Sequence, residues 1–347
     1  MTRSFQLLAL CAVTLALPIE ISSGHALLRR DANTVGSDIV KPNDKYLLEI
    51  KIGSNGEALY PIADSGSLEA WLPNTDDWAD LSLSLVNLGI EYQTTYANTA
   101  VKGYYAKDTL EIGSSVLSDF IFGVVNNPQD AGTNSGGVFG LGKRKNLAYD
   151  TLPYALKAAG KIDKTVASIY YRNSVSRGKL TFGGYDQAKL GSNWQLFSSP
   201  GQYWQLPIEK MTIADAEIPS DDSTNFIIDS GAEISYFPRA FLDQLAPLFN
   251  AERQDNGYYL MSCDQPSDKT FLISVGDITF DVPFDQFKWI IEGFDECYLG
   301  AGDSGVFGMN IFGNTVLSSV YTLFDYDAQE VRIANLNDVD EEYIIAA

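Results

Sequence analysis

The stretch "IADSGSLEAWLP" at residues 62–73 recurs almost unchanged as "IIDSGAEISYFP" at residues 227–238. In both stretches an apolar run precedes Asp-Ser-Gly, an aromatic residue stands seven positions after the Asp, and a Pro stands nine positions after it. A tripeptide that recurs by chance would not carry its flanking residues along. The two stretches therefore indicate an internal duplication, in which Asp64 and Asp229 are equivalent residues.

The duplication extends beyond the two Asp residues. The segments "GGVFGLG" (136–142) and "MNIFGNT" (309–315) each place two apolar residues before a Gly, 76 residues after Asp64 in the first copy and 84 residues after Asp229 in the second. A repeat near 165 residues is too long for a solenoid. We expect instead two similar lobes, each of which contributes one Asp.

The composition is typical of a sheet-rich protein with many turns. The chain has 347 residues, 45% of them hydrophobic and 29 of them Gly, which is enough for one large core or two ordinary ones. Alternating residues bounded by Gly, Asn, Asp or Pro predict strands within 45–53, 102–113, 168–173, 179–184, 225–229, 270–282 and 319–335. Helical patterns are confined to 151–162 and 239–249. We predict an all-β protein with an N-terminal lobe over 31–195, a C-terminal lobe over 196–347, and a boundary within 193–207.

The N-terminus reads as a leader. Residues 1–26 combine a positive start at Arg3, a short apolar run and a small-residue end, which is the pattern of a secretory signal peptide. A membrane anchor is the alternative, but the apolar run is too short to span a bilayer. We expect a protein that is secreted, or delivered to an acidic compartment of the secretory pathway. Residues 27–30 then form a short processing segment that ends at Arg29-Arg30, and the mature chain begins near Asp31.

Histidine and cysteine are almost absent from the predicted mature chain. The one histidine, His25, falls in the leader, which excludes Ser-His-Asp and Cys-His catalysis and any His-ligated metal site. Cys263 and Cys297 remain, and in an oxidising compartment they most simply form one disulfide, with two free buried thiols as the alternative. Two cysteines cannot build a zinc–thiolate site. We therefore expect no metal.

The charge excludes partners rather than naming one. With 24 basic and 45 acidic residues the net charge is −21, which repels nucleic acid and anionic membranes. Such a surface suits an acidic medium, although solubility explains it equally well.

A pair of aspartates supplies the chemistry that remains. Two carboxylates held close together cannot both ionise, so they share one proton and titrate as a pair. One member can take a proton from water while the other gives one to a carbonyl oxygen. A single Asp-Ser-Gly is more often an ordinary turn, but two copies with matching flanks favour the catalytic interpretation.

Over residues 40–336 the sequence resembles the pepsin-like family of aspartic peptidases, of the secreted, eukaryotic, fungal type. Asp64 and Asp229 begin segments that match the two catalytic turns, and 92–113 resembles the flap hairpin that closes over substrate. Cys263 and Cys297 fall where the family has its C-terminal disulfide, and 180–186 and 203–213 resemble segments around the lobe crossover. The resemblance implies a bilobal fold with an interlobe cleft, a polypeptide substrate, no cofactor and a monomer. It assigns catalysis to Asp64 and Asp229, and substrate binding to Gly66, Ser67, Trp71, Tyr96, Gly231 and Ala232.

Two tyrosines compete for the role of the flap tyrosine. Tyr96 lies seven residues before Gly103, which fits the spacing of the family, whereas Tyr92 would need a longer flap. We choose Tyr96, which by the resemblance donates a hydrogen bond towards Trp71 and packs against substrate. Either tyrosine could instead be a cross-strand packing residue.

Several positions depart from the family pattern. Ala97 and Thr99 replace flap-tip glycines, Gly136 and Asn314 stand where Asp is common, and Ala232 replaces a hydroxyl residue. No long prosegment separates the predicted leader from the predicted mature chain. Three functions stay open: a secreted aspartic endopeptidase, which we favour; a pepsin-fold enzyme that uses the same dyad on a non-peptide small molecule; and a non-catalytic binding protein.

Overall fold

The computed structural model describes residues 28–31, 33–41, 45–96, 99–127, 136–143, 147–208, 210–213, 216–218, 225–266, 268–291 and 295–347. The predicted signal peptide at 1–26 lies outside the described residues, as do Ala97 and Asn98 at the flap tip.

The first half of the chain is built from fourteen described strands and two helices. The strands are β1 (Leu28–Arg30), β2 (Val35–Val40), β3 (Leu47–Leu48), β4 (Ile50–Ile52), β5 (Glu57–Leu59), β6 (Ile62–Asp64), β7 (Ala70–Pro73), β8 (Val86–Tyr96), β9 (Thr99–Ile112), β10 (Ser115–Val125), β11 (Val138–Gly140), β12 (Val166–Arg172), β13 (Arg177–Phe182) and β14 (Gly184–Asp186). The helices are α1 (Trp78–Leu81) and α2 (Leu152–Ala158).

The second half has seventeen described strands and two helices. The strands are β15 (Gln195–Ser198), β16 (Gln205–Pro207), β17 (Lys210–Ile213), β18 (Ala216–Ile218), β19 (Asn225–Ile228), β20 (Ser235–Phe237), β21 (Glu252–Arg253), β22 (Tyr259–Met261), β23 (Thr270–Val275), β24 (Ile278–Pro283), β25 (Lys288–Ile290), β26 (Cys297–Leu299), β27 (Ala301–Asp303), β28 (Asn310–Phe312), β29 (Val320–Asp325), β30 (Glu330–Asn335) and β31 (Glu342–Ala346). The helices are α3 (Arg239–Leu248) and α4 (Asn314–Leu317). Short 3₁₀ turns occur at Thr75–Asp77, Gln187–Lys189, Phe284–Phe287 and Ser304–Val306.

The predicted all-β fold is confirmed. Each segment that alternates in sequence contains at least one strand, and both predicted helices form. Helix α2 has Pro153 in its first turn, where a missing N–H costs nothing, and α3 begins directly after Pro238. Strand β2 alternates between core and solvent, whereas β29 is buried throughout because it lies between β12 and β30.

The two Asp segments lie in the same local topology. In the first half, β11 pairs in parallel with β6, so that Asp64 stands opposite Gly140, and antiparallel with β7. In the second half, β28 pairs in parallel with β19 and antiparallel with β20. The duplication read from the sequence therefore corresponds to two copies of one strand arrangement. A Cβ atom on Gly140 or on Gly313 would lie within 2.3 Å of backbone atoms of the crossing segment, which explains the repeated apolar-apolar-Gly pattern.

Two of the last strands of the chain, β29 and β31, pair with strands from its first half. Fifteen strands form one sheet, in which β29 pairs with β12 and β30 pairs with β15. A separate three-stranded sheet has the order β1-β31-β14. Of the last strands, β29 and β31 therefore pair with strands of the first half, so the division predicted between residues 195 and 196 does not separate the sheets.

Lys143 holds the predicted boundary segment against the first lobe. Its buried ammonium group donates to Ser199 Oγ at 3.0 Å and to the backbone oxygens of Gly201 and Tyr203 at 3.2 and 3.1 Å. The same nitrogen lies 4.4 Å from the ring centre of Trp204, and burial lowers the pKa of Lys143 to about 8. The segment 193–207 is thus a fixed connection rather than a free linker.

The segment predicted to be processed is part of a sheet. Strand β1 pairs in parallel with β31, and the N–H of Asp31 donates to the oxygen of Ile344 at 3.0 Å. A processing protease needs an unpaired backbone, so cleavage after Arg30 has to precede this pairing or to open it.

The predicted disulfide is confirmed. Cys263 and Cys297 are bonded, with their Cα atoms 5.2 Å apart, and join the segment after β22 to β26. Closing a loop of 34 residues stabilises the fold by about 4 kcal/mol in the chain-entropy model. None of the described helices is long and apolar enough to cross a membrane.

Candidate active site

Each Asp sits at the end of a buried strand, on a turn that folds back over its own carboxyl group. The N–H of Gly66 donates to Asp64 Oδ1 at 2.8 Å, and the N–H of Gly231 donates to Asp229 Oδ1 at 2.9 Å. The Asp-Ser-Gly tripeptide forms this turn because its amide two residues on reaches the Asp side chain. Both turns therefore orient their carboxyl groups in the same way.

The middle residues of the two turns bind the lobes together. Ser65 N–H donates to Ser230 Oγ, and Ser230 N–H donates to Ser65 Oγ, both at 3.0 Å. The Ser65 hydroxyl donates to the oxygen of Ile228 at 2.7 Å, and the Ser230 hydroxyl donates to that of Ala63 at 2.6 Å. These four reciprocal hydrogen bonds are buried and fix one turn against the other. The sequence assigned no role to these serines, and the only signal was the same Ser in both copies.

The two glycines allow the carboxyl groups to meet. A Cβ on Gly66 would lie 2.5 Å from Asp229 Oδ2, and a Cβ on Gly231 would lie 2.4 Å from Asp64 Oδ1. Real Cβ atoms do not approach other atoms so closely. Each glycine therefore makes room for the Asp of the opposite lobe.

The carboxyl groups of Asp64 and Asp229 are hydrogen-bonded to each other. Burial raises the pKa of Asp229 well above its usual range, and the charge of Asp64 and the hydrogen bond between the two groups raise it further. The backbone N–H groups of Gly231 and Ala232 oppose this by favouring the charged form. The structure thus brings together the two residues that the sequence singled out.

The duplicated turns differ at their fourth position. Ser67 donates its hydroxyl hydrogen to Asp64 Oδ2 at 2.5 Å. Ala232, the equivalent residue, has no hydroxyl to offer Asp229. Asp64 therefore accepts from a side-chain hydroxyl that Asp229 lacks, which makes the two carboxyl groups unequal.

Asn314 stabilises the turn that carries Asp229 by hydrogen bonds to its backbone. It is fully buried, and its Nδ2 donates to the backbone oxygen of Ser230 at 3.1 Å, while its backbone N–H donates to Ala232 O at 2.9 Å. An amide in place of the more common carboxylate is thus accommodated as a donor. Gly136, the other position where the family commonly has Asp, lies exposed ahead of β11.

The predicted flap is a hairpin of β8 and β9, with Tyr96 opposite Thr99 at the end of the paired region. Trp71 Nε1–H donates to Tyr96 Oη at 2.8 Å, and the two rings are 6.4 Å apart. The predicted direction of this hydrogen bond was wrong, because an indole N–H can only donate. Tyr92 is fully buried instead, and its ring lies where a side chain on Gly123 would otherwise stand.

A carboxylate beside the first turn was not predicted. Glu69 Oε1 accepts hydrogen bonds from Tyr105 Oη at 2.5 Å and from Tyr149 Oη at 2.8 Å. Burial, followed by these contacts with Glu69, raises the pKa of Tyr105 to about 12. Nothing in the local sequence links these residues, which lie 36 and 80 positions apart from Glu69.

A second unpredicted carboxylate lies beside the second turn. Glu233 Oε2 accepts a hydrogen bond from Trp289 Nε1 at 3.0 Å, and its Oε1 lies 3.6 Å from Lys45 Nζ. Lys45 belongs to the first half of the chain, so this ion pair crosses between the lobes. Within the residues that the structure describes, no group of three or more His, Cys, Asp or Glu side chains is arranged to hold a metal.

The model of the eukaryotic aspartyl protease family matches residues 45–336. The chain belongs to this family. The predicted enzyme class, an aspartic endopeptidase, is thereby confirmed. The family implies that the protease binds a peptide substrate.

Fungal relatives match nearly the whole of the protease. Secreted aspartic protease 8 of Candida albicans is 26% identical over 330 residues, covering 87% of this chain and 78% of that protein. Candidapepsin-3 of Candida albicans is 26% identical over 341 residues, covering 87% and 82%. An acid protease of Saccharomycopsis fibuligera is 26% identical over 368 residues, covering 96% and 92%.

Proposed function

We propose that the protease hydrolyses peptide bonds with a water molecule that Asp64 and Asp229 activate, the two residues sharing one proton. The contact between their carboxyl groups carries this proposal. Because burial and the neighbouring Asp64 raise the pKa of Asp229, the pair keeps one proton at acid pH. A dyad in this state contains both the base and the acid that hydrolysis needs.

The unequal donors around the two carboxyl groups indicate which group is ionised and which carries the shared proton. Asp64 accepts from Ser67 and Gly66, which suits the ionised member, and Asp229 lacks the hydroxyl donor. As the water oxygen bonds to the peptide carbonyl carbon, Asp64 takes a proton from the water and Asp229 gives its proton to the carbonyl oxygen. The product is a neutral gem-diol.

Collapse of the gem-diol completes the reaction. The C–N bond breaks while Asp64 gives its proton to the leaving nitrogen, and one gem-diol hydroxyl returns a proton to Asp229. A carboxylic acid and an amine leave, and the dyad regains its starting state.

The residues around the dyad would hold the peptide. We assign Gly66, Ser67, Gly231 and Ala232 to the cleft floor, and Tyr96 and Trp71 to the flap side. The hydrogen bond between Trp71 and Tyr96 supports this assignment, because it positions the flap tyrosine.

We also propose that the protease is secreted, or acts in an acidic compartment of the secretory pathway. The Cys263–Cys297 disulfide is typical of an oxidising compartment, and one relative named above carries "secreted" in its name. The signal peptide at 1–26, the monomeric state and the lack of nucleic-acid, membrane and cofactor partners stay predictions.

Digestion of an unfolded protein at acid pH tests the proposal. We expect peptide-bond cleavage that a peptide inhibitor with a tetrahedral hydroxyl isostere blocks, since it mimics the gem-diol. Purified folded protease that binds this inhibitor but cleaves no polypeptide would favour the non-peptide enzyme. Absence of both binding and cleavage would favour the binding protein.

A further inference from the structure

Glu69 is held rigidly beside the turn that carries Asp64. It stands five residues after Asp64, and the hydroxyl groups of Tyr105 and Tyr149 both donate to its Oε1. The rings of these tyrosines meet edge to face at 5.6 Å, and the backbone oxygen of Glu69 accepts from Gly140 N–H at 3.1 Å. Two hydroxyl donors thus fix the carboxylate, and the backbone contact fixes the residue to a third segment.

The same carboxylate lies close to the flap tyrosine. Burial raises the pKa of Tyr96, and the charges of Asp64 and then Glu69 add to that rise. Tyr105 also packs edge to face on Tyr92 at 5.1 Å, in the strand that ends at Tyr96. Glu69 therefore lies between the turn that carries Asp64 and the base of the flap.

No cation neutralises Glu69 within the described part of the chain. Its Oε1 already has two donors, whereas its Oε2 accepts no hydrogen bond from a described residue and is not buried. Glu233 differs in this respect, because Lys45 lies 3.6 Å from its Oε1. A fixed carboxylate without a counter-ion attracts a cation from outside the molecule.

Each of these two carboxylates lies shortly after one of the two Asp residues. Glu69 follows Asp64 by five residues and Glu233 follows Asp229 by four, so the two carboxylates are neighbours of different Asp turns but not equivalent positions of the duplication. The carboxylate after Asp229 is thus neutralised by Lys45, whereas no cation of the described residues neutralises the one after Asp64.

We propose that Glu69 is a specificity-determining residue that selects a basic side chain, lysine or arginine, on one side of the scissile bond. This inference rests on the proposed function, since it requires a peptide to lie across Asp64 and Asp229. The Oε2 atom would accept from the basic group, while Tyr105 and Tyr149 hold the carboxylate in place. Their rings offer an apolar surface to the alkyl stem of the substrate side chain.

Matched peptides test this directly. In one peptide that the protease cleaves, lysine and norleucine are exchanged at each of the positions flanking the scissile bond, and the ratio of the two kcat/KM values is measured. We expect a preference for lysine of about tenfold or more at one position, the effect of one hydrogen bond to a charged group. Glu69→Gln should bring this ratio to about one and change cleavage of the norleucine peptide by less than about threefold. A merely structural role would lower both values together and leave the ratio unchanged.

Glu111→Gln is the matched control. Glu111 pairs with Lys51 on the surface, and its replacement removes the same charge but should keep the lysine preference. Tyr149→Phe serves as a second variant if Glu69→Gln does not fold, and it should weaken the preference because it removes one of the two donors.

The outcomes separate the two proposals. A protease that cleaves peptides without preferring lysine at any position, or a Glu69→Gln variant that keeps the preference, would overturn the role of Glu69 alone. A folded protease that cleaves no peptide would overturn the proposed function and this inference with it.

Discussion

A Cβ atom on Gly66 would lie 2.5 Å from the carboxyl carbon of Asp229, a residue of the opposite lobe. The reciprocal relation holds between Gly231 and Asp64 at 2.5 Å. The glycines of the duplicated motif thus serve the partner Asp as well as their own turn.

Gly66→Ala should therefore inactivate the protease without unfolding it. The methyl group displaces Asp229 from Asp64, and a misplacement near 1 Å costs about a hundredfold in rate. Measurement of kcat/KM, with circular dichroism to follow the fold, decides this. Gly201→Ala is the control, because its nearest neighbour, Gln205 Oε1, would be 3.5 Å away. Full activity in Gly66→Ala would show that the dyad does not need this close approach.

The hydrogen bonds of Ser65 and Ser230 predict that the stabilities of the two lobes are coupled. Ser65→Ala leaves the buried N–H of Ser230 without its acceptor, and should lower the free energy of unfolding by about 1–3 kcal/mol. Ser65→Ala removes two of the four hydrogen bonds and Ser230→Ala removes the other two. Because both pairs hold the same two turns together, the second substitution should cost less once the first has loosened that contact, and the double variant should lose less than the sum of the single variants. Urea unfolding of the four proteins measures this. Ser114→Ala, at an exposed turn, should change stability by no more than about 0.5 kcal/mol. Additive losses would mean that the two serines act independently.

The flap assignment separates two tyrosines of the same strand. Tyr96→Phe removes the acceptor of the Trp71 N–H and should lower kcat/KM by about tenfold, the value of one hydrogen bond. Tyr92→Phe removes a buried hydroxyl that has no hydrogen-bond partner among the described residues, so activity should hold and stability should stay equal or rise by up to about 1 kcal/mol. A larger loss of activity in Tyr92→Phe than in Tyr96→Phe would reverse the assignment.

The missing hydroxyl at Ala232 predicts an activity range that extends towards less acid pH. A hydrogen bond to a charged group is worth ~1.5–3 kcal/mol, and one pKa unit corresponds to about 1.4 kcal/mol. In Ala232→Thr a new donor to Asp229 would favour its charged form and lower its pKa, so the shared proton would be lost at lower pH. The alkaline limb of kcat/KM against pH should move down by roughly half to one unit. Ser67→Ala, which removes the equivalent donor from Asp64, should move it up. An unchanged limb in both variants would show that these positions do not tune the dyad.

Local patterns predicted much of this molecule. Alternation within short segments indicated the strands, because one face of each strand packs on a core, and the matched flanks of Asp64 and Asp229 indicated the paired turns. The resemblance added the flap and placed Tyr96 in it.

The contacts that surround the dyad could not be read in the same way. Whether Tyr105 and Tyr149 reach Glu69, or Lys45 reaches Glu233, depends on how segments distant in sequence are set against each other. Sequence periodicity says which face of a strand is buried, but not which residue of another segment it meets. The pairing of β1 with β31 is equally non-local, since it joins the two ends of the described chain.

Replacement of each Asp in turn tests the central claim most directly. Asn has nearly the same shape as Asp but cannot share the proton, so it keeps the packing of the turn and removes the chemistry. Cleavage of an unfolded protein at acid pH should be abolished in both Asp64→Asn and Asp229→Asn, while circular dichroism and the unfolding midpoint show that each variant is folded. Appreciable cleavage by either folded variant would contradict a dyad in which both carboxyl groups act on one water.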